Sequence, residues 1–103
     1  MHIISAGHRY ELENFENKDT KGQEIQFIEK APSGCGGELC TVNDGTTNEE
    51  MLRVLIDRIA YLDAKFPCKE NSIVLEKLEE ALRTLNLRTA SRLSRGVEGK
   101  ALA

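Results

Sequence analysis

Apolar and polar residues alternate on a period of two through the first half of the chain and on a period near 3.6 through the second. In YELENF, Tyr10, Leu12 and Asn14 share one face; in QEIQFIEKA, Ile25 and Phe27 do the same, as half-buried strands require. NKDTKGQ between them is a turn cluster. APSGCGG separates the second strand from a third, ELCTVN, which ends at Asp44-Gly45. The pattern predicts an antiparallel β-meander of about three short strands over residues 9–43.

TTNEEMLRVLIDRIAYLDAKF then opens on a capping-box pattern, Thr47 with Glu50 or Thr46 with Glu49, ahead of an amphipathic run. Leu52, Leu55, Ile56, Ile59 and Leu62 form its apolar stripe, and Pro67 stops it by disfavouring helix at Phe66. A second helix, from about Ser72 to Arg95, carries Leu75, Leu78, Leu82, Leu85, Thr89 and Arg92 at alternating steps of three and four. The expectation is an α+β chain: a meander, a helical hairpin over 47–95 and a tail over 96–103, all in one domain, 1–103. The second helix outruns its partner, and Leu87 and Leu93 lie off its seam. That spare apolar surface predicts a dimer or larger closed assembly.

Composition sharpens the picture in two respects. A chain of 103 residues encloses a thin core, which again favours association, and it holds no apolar run long enough to span a membrane. MHIISAGHRY lacks a basic stretch followed by a long apolar one, so no secretion signal is expected. His2 and His8 fall in what reads as a floppy leader, giving no metal site. Cys35, Cys40 and Cys68 are odd in number and wrongly spaced for a zinc ribbon, and free thiols in a reducing compartment are the expectation.

Charge is unevenly spread. Residues 1–82 hold nine basic and sixteen acidic side chains, a balance of −7; residues 83–103 hold five and one, a balance of +4. Arg83, Arg88, Arg92 and Arg95 run over more than three turns, beyond the reach of the helix dipole. Arg88, Arg92 and Arg95 are spaced i, i+4, i+7 with no acid at helical spacing between them. The missing counter-charge is an acidic surface of another subunit, a nucleic acid or a phosphorylated small molecule. Composition alone favours the subunit, and the acidic whole disfavours duplex nucleic acid. No nucleophile elbow, metal-ligand cluster or phosphate-loop glycine pattern is present, so no catalytic residue is assigned. Glu76, Glu79 and Glu80 read as a solvated face.

GTTNEE opening the hairpin, KFPCKENS at its turn, KLEEAL in the second helix and SRGVEGK at its end together resemble the helical hairpin of two phage counter-defence families. These are the first described anti-Thoeris cyclic-nucleotide sponges and the related anti-CBASS sponges, and the match is to the former. The resemblance covers about the last sixty residues, and the QFIEK strand fits it too. It implies a non-enzymatic protein, without cofactor, in the cytoplasm of the infected bacterium. Such a protein sequesters glycocyclic ADP-ribose, a signal made from NAD by a TIR-domain enzyme. It also implies homodimers, assembled as a trimer of dimers, with cyclic di- or trinucleotides held at a second site.

The residue types such a ligand needs occur here. Carried onto this chain, Tyr61 would stack on the base, Asn71 would contact a base or ribose edge, and Arg88 and Arg92 would hold phosphate. Arg95 and Gly96, an arginine and a glycine cap, would serve the second site. Each has a plainer alternative: Tyr61 as a half-buried core aromatic, Asn71 as the amino-terminal cap of the second helix, and Phe66 as a core plug beside them. Lys69 and Arg53 read as solvated. Asn71 and Arg88 are about 25 Å apart along one helix, so one small ligand meets both only where two antiparallel chains adjoin. A structural or regulatory hairpin oligomer, its arginines paired with a partner protein, is the alternative.

Overall fold

The computed structural model describes residues 1–32 and 39–96 and confirms the α+β class, with strands first and a helical hairpin after. The chain divides into two compact units, Met1–Thr47 and Asn48–Ala103.

Among the described residues the first unit holds five strands: β1 (His2–Ser5), β2 (Arg9–Glu11), β3 (Glu24–Gln26), β4 (Glu29–Ala31) and β5 (Cys40–Asn43). β1-β2-β3 form one antiparallel sheet and β4-β5 a second. Two features depart from expectation. The leader is a strand, with His2 opposite Glu11 and Ile3 opposite Tyr10, and it gives β2 a second pairing neighbour. Gly7, at φ 78°, makes the tight return possible, and His8 N–H donates to the Ser5 carbonyl at 3.0 Å.

The strand expected over QEIQFIEKA is broken in two, because its backbone changes partners midway. Phe27 N–H donates to the carbonyl of His8, in the turn just before β2, at 2.7 Å, whereas Ile28 N–H donates to the Thr46 carbonyl at 2.8 Å. The Gln26 amide fixes the crossover by donating to the Phe27 carbonyl at 2.8 Å. Only glycine fits at position 45, where a Cβ would overlap the Gln26 carbonyl. Tyr10 pairs with Ile25 across β2-β3 and meets Phe27 edge-on, ring centroids 5.9 Å apart and planes at 86°. The period-two faces of the sequence therefore hold.

Cysteine chemistry also departs from expectation: Cys40 is disulfide-bonded, while Cys68 is free and exposed. An odd count excludes complete pairing but not a single bond. Cys35 lies outside the described residues.

The second unit contains α1 (Asn48–Lys65) and α2 (Lys69–Ser94), of 18 and 26 residues, joined by Phe66–Cys68. α1 starts just after Thr47 and stops before Pro67, as its sequence predicts. Leu52, Ile56, Ile59 and Leu62 are half-buried along α1, but Leu55 is exposed. On α2 the seam of Leu75, Leu78, Leu82, Leu85 and Thr89 is half-buried throughout. Among the described residues no hydrophobic side chain is fully buried, and Arg92, 7% exposed, is the one buried polar residue. Leu87 and Leu93 stand open at 70% and 63%. None of the described helices is long and apolar enough to cross a membrane.

Candidate functional site

The candidate residues lie on the last turns of α1 and from the hairpin turn along α2 to its carboxyl end. α2 starts three residues earlier than expected. Cys68, extended at φ −149° and ψ 157°, is its cap, and its Sγ accepts from the Asn71 N–H at 3.4 Å. Asp63 Oδ1 in turn accepts from the Cys68 N–H at 3.2 Å, closing the turn around Pro67. The capping role open to Asn71 is thus filled by another residue. Asn71 sits inside the first turn, half-buried at the head of the α2 seam, and its carboxamide makes no hydrogen bond to another described residue. Sequence reasoning overlooked Cys68 because thiols are weak acceptors and Asn-Ser is the stronger capping signal.

Tyr61 is 55% exposed on the last turns of α1, so it is not a core aromatic within this chain. The Lys65 ammonium lies 4.6 Å from its ring centroid, a cation–π contact that covers one face. Phe66 is 77% exposed, which corrects its expected role as a plug. A proline directly after it and a helix ending at Lys65 leave its side chain nothing on the hairpin to pack against. The turn therefore displays two aromatic rings with Lys65 and Lys69 beside them, a combination suited to flat anionic molecules.

The arginines do not share one environment. Arg83 and Arg88 are exposed and form no ion pair with described residues. Arg92 continues the Leu75–Thr89 seam inward and is buried and partnered within the chain. Arg95 is exposed at the carboxyl cap of α2, where its Nε donates to the Ser91 carbonyl at 3.4 Å. Gly96 follows at φ 69°, in the left-handed geometry that ends a helix. The run of arginines thus separates into guanidinium groups facing water and one turned inward. The signal was available: Arg92 falls on the 3-4 repeat of the leucines, and Arg88 one residue off it.

Asn71 and Arg88 are seventeen residues apart on a continuous helix, about 25 Å, so a single chain does not bring them together. Among the described residues there is no group of three or more His, Cys, Asp or Glu placed to hold a metal ion.

Comparison with known proteins gives the context for this arrangement. Thoeris anti-defense 1 of Bacillus phage SBSphiJ7 is 43% identical over 75 residues, covering 61% of this chain and 53% of that protein. The chain spans about half the length of this curated relative. A family model described as Acb2/Tad1, hairpin domain, matches residues 20–90, from the turn before β3 through the arginine-bearing part of α2 as far as Ala90. On that match, which covers well over half of its residues, the chain belongs to the Acb2/Tad1 hairpin-domain family.

Proposed function

We propose that this protein captures a small phosphorylated signalling nucleotide, glycocyclic ADP-ribose, and withholds it from the bacterial immune effector it would activate, without cleaving it. The observation that carries the reading is the family match over the hairpin, which includes Tyr61, Asn71 and Arg88. Chemistry supports it. Arg88 offers an uncommitted guanidinium fork for phosphate, Tyr61 a ring for adenine, and Asn71 an unused amide for a polar edge. Arg92, being buried, serves from behind by fixing the end of the seam, and reaches ligand only as the floor of the pocket. Because Asn71 and Arg88 of one chain are too distant, each pocket draws on two antiparallel copies, and a dimer carries two. Trimers of such dimers would gather Arg95 and Gly96 around a second anion site for cyclic oligonucleotides. Sequestration requires no catalytic group, and the protein would act in the cytoplasm of the infected cell.

Titration calorimetry with glycocyclic ADP-ribose tests the proposal. The expected result is saturable binding at one ligand per chain, with the ligand recovered intact after the complex is heat-denatured. Recovery of a cleaved product would convert the reading to a hydrolase. No heat with any cyclic nucleotide would favour the structural oligomer, for which the open Leu87 and Leu93 already argue.

A further inference from the structure

Tyr61 does not stand bare on α1. The Lys65 ammonium lies over its ring, 4.6 Å from the centroid, although the tyrosine is 55% exposed. Lys65 is itself exposed and forms no ion pair with described residues. At helical spacing before it stand Tyr61 and Leu62, and no acid, so the ring is the partner that its own helix supplies. Side chains on a helix lean towards its amino end, so a lysine one turn beyond the tyrosine reaches the ring from the side of the hairpin turn. Asn71, in the first turn of α2, lies at that same end. A flat molecule that meets both Tyr61 and Asn71 therefore encounters the lysine first.

The contact sets two kinds of visitor apart. Displacing an exposed cation–π contact costs an incoming base about two- to fivefold in affinity. A charged contact from the released ammonium to phosphate returns about tenfold or more. A nucleotide carrying phosphate beside its base gains on balance, whereas a bare nucleoside has only the loss. Arg58 supplies a comparison on the same helix face. It is exposed, three residues before Tyr61, and makes neither a ring contact nor an ion pair with described residues.

We propose that Lys65 selects for phosphate: its ammonium rests on Tyr61 in the free protein and passes to a phosphate of the nucleotide as the base takes the ring. The inference rests on the nucleotide reading above and deepens it, since it assigns the residue that makes the site refuse unphosphorylated nucleosides. The plainer role of a lysine in the last turn is to oppose the negative end of the α1 dipole. That role affects the melt and leaves discrimination between ligands untouched.

Two ligands measured on the whole chain decide the matter: glycocyclic ADP-ribose by calorimetry, and adenosine by the shifts of its adenine protons in NMR. Lys65→Ala should weaken capture of the cyclic nucleotide by at least about twofold and tighten adenosine by about two- to fivefold, so that the ratio of the two affinities falls by at least about tenfold. Lys65→Arg, which keeps both contacts, should hold that ratio within a few-fold of the parent. Arg58→Ala removes the same charge without uncovering the ring and should leave adenosine binding unchanged. Adenosine bound equally by parent and Lys65→Ala, or by neither, overturns the exchange, as does a cyclic nucleotide that Lys65→Ala binds undiminished; in these cases the sponge reading stands. Adenosine gained equally in Arg58→Ala traces the effect to overall charge and overturns it too. A parent that binds no cyclic nucleotide overturns both readings. If Lys65→Ala loses helix content by circular dichroism, Lys65→Gln makes the same comparison.

Discussion

Cys68 holds the start of α2 through a sulfur acceptor, a weak member of its class. Cys68→Ser should therefore raise the thermal midpoint, and Cys68→Ala should lower it by the equivalent of about 0.5 kcal/mol, the low end of the capping range. Melting curves by circular dichroism check both. The arginines separate in the same assay. Arg92→Ala should destabilise by about 1–3 kcal/mol, because it strips a buried, partnered group. Arg88→Ala, at an exposed position, should leave the melt within about 0.5 kcal/mol while weakening nucleotide capture by about 1.5–3 kcal/mol, as expected for a lost charged contact. Equal loss of stability in the two variants would make Arg88 structural. At this scale sequence reading found the residues and part of their surroundings. Spacing placed Arg92 on the leucine seam and Arg88 one residue off it, but the depth to which the seam buries Arg92 comes from its packing.

Among elements, those set by local chemistry were legible and those set by distant partners were not. The α2 leucine seam, the stop at Pro67 and the left-handed Gly96 all follow from residues within a few positions of each other. β1 and the break between β3 and β4 depend on pairing with backbone far along the chain, and alternation alone carries no record of a change of partner. That first sheet also contains the one acid among the described residues whose titration is clearly shifted. Glu24 has its carboxyl held below the usual carboxylate range, chiefly by the hydrogen bond from Arg9; desolvation is the next largest influence and opposes it, and the positive charges of Arg9 and Lys21 add to the lowering. A depressed folded value means that the pairing contributes above the unfolded carboxylate value and is lost as pH falls through the folded one. Sheet stability should therefore decline on acidification below the ordinary glutamate range. In Arg9→Ala the Glu24 midpoint, followed by carboxyl NMR, should rise towards normal. An unchanged midpoint would show that Arg9 does not hold it.

For the whole molecule, the absence of any fully buried hydrophobic side chain among the described residues is the governing fact. A chain of 103 residues whose described part buries no hydrophobic side chain fully should draw stability from association, so its thermal midpoint should climb with protein concentration. A midpoint constant across a hundredfold dilution, about the range a binding isotherm spans, would argue for a self-sufficient monomer. The thin core was foreseeable from length, and so was the surplus of leucines; where the surplus would lie depended on α2 outlasting α1. The two tyrosines carry one further consequence. With no tryptophan in the sequence, intrinsic fluorescence comes from two phenols in unlike settings, Tyr10 edge-on against Phe27 and Tyr61 beneath the Lys65 ammonium. Replacing Tyr10 by phenylalanine leaves a single native fluorophore at the hairpin tip, and an arriving guest that lifts the lysine away would announce itself as a change in emission, with no label attached.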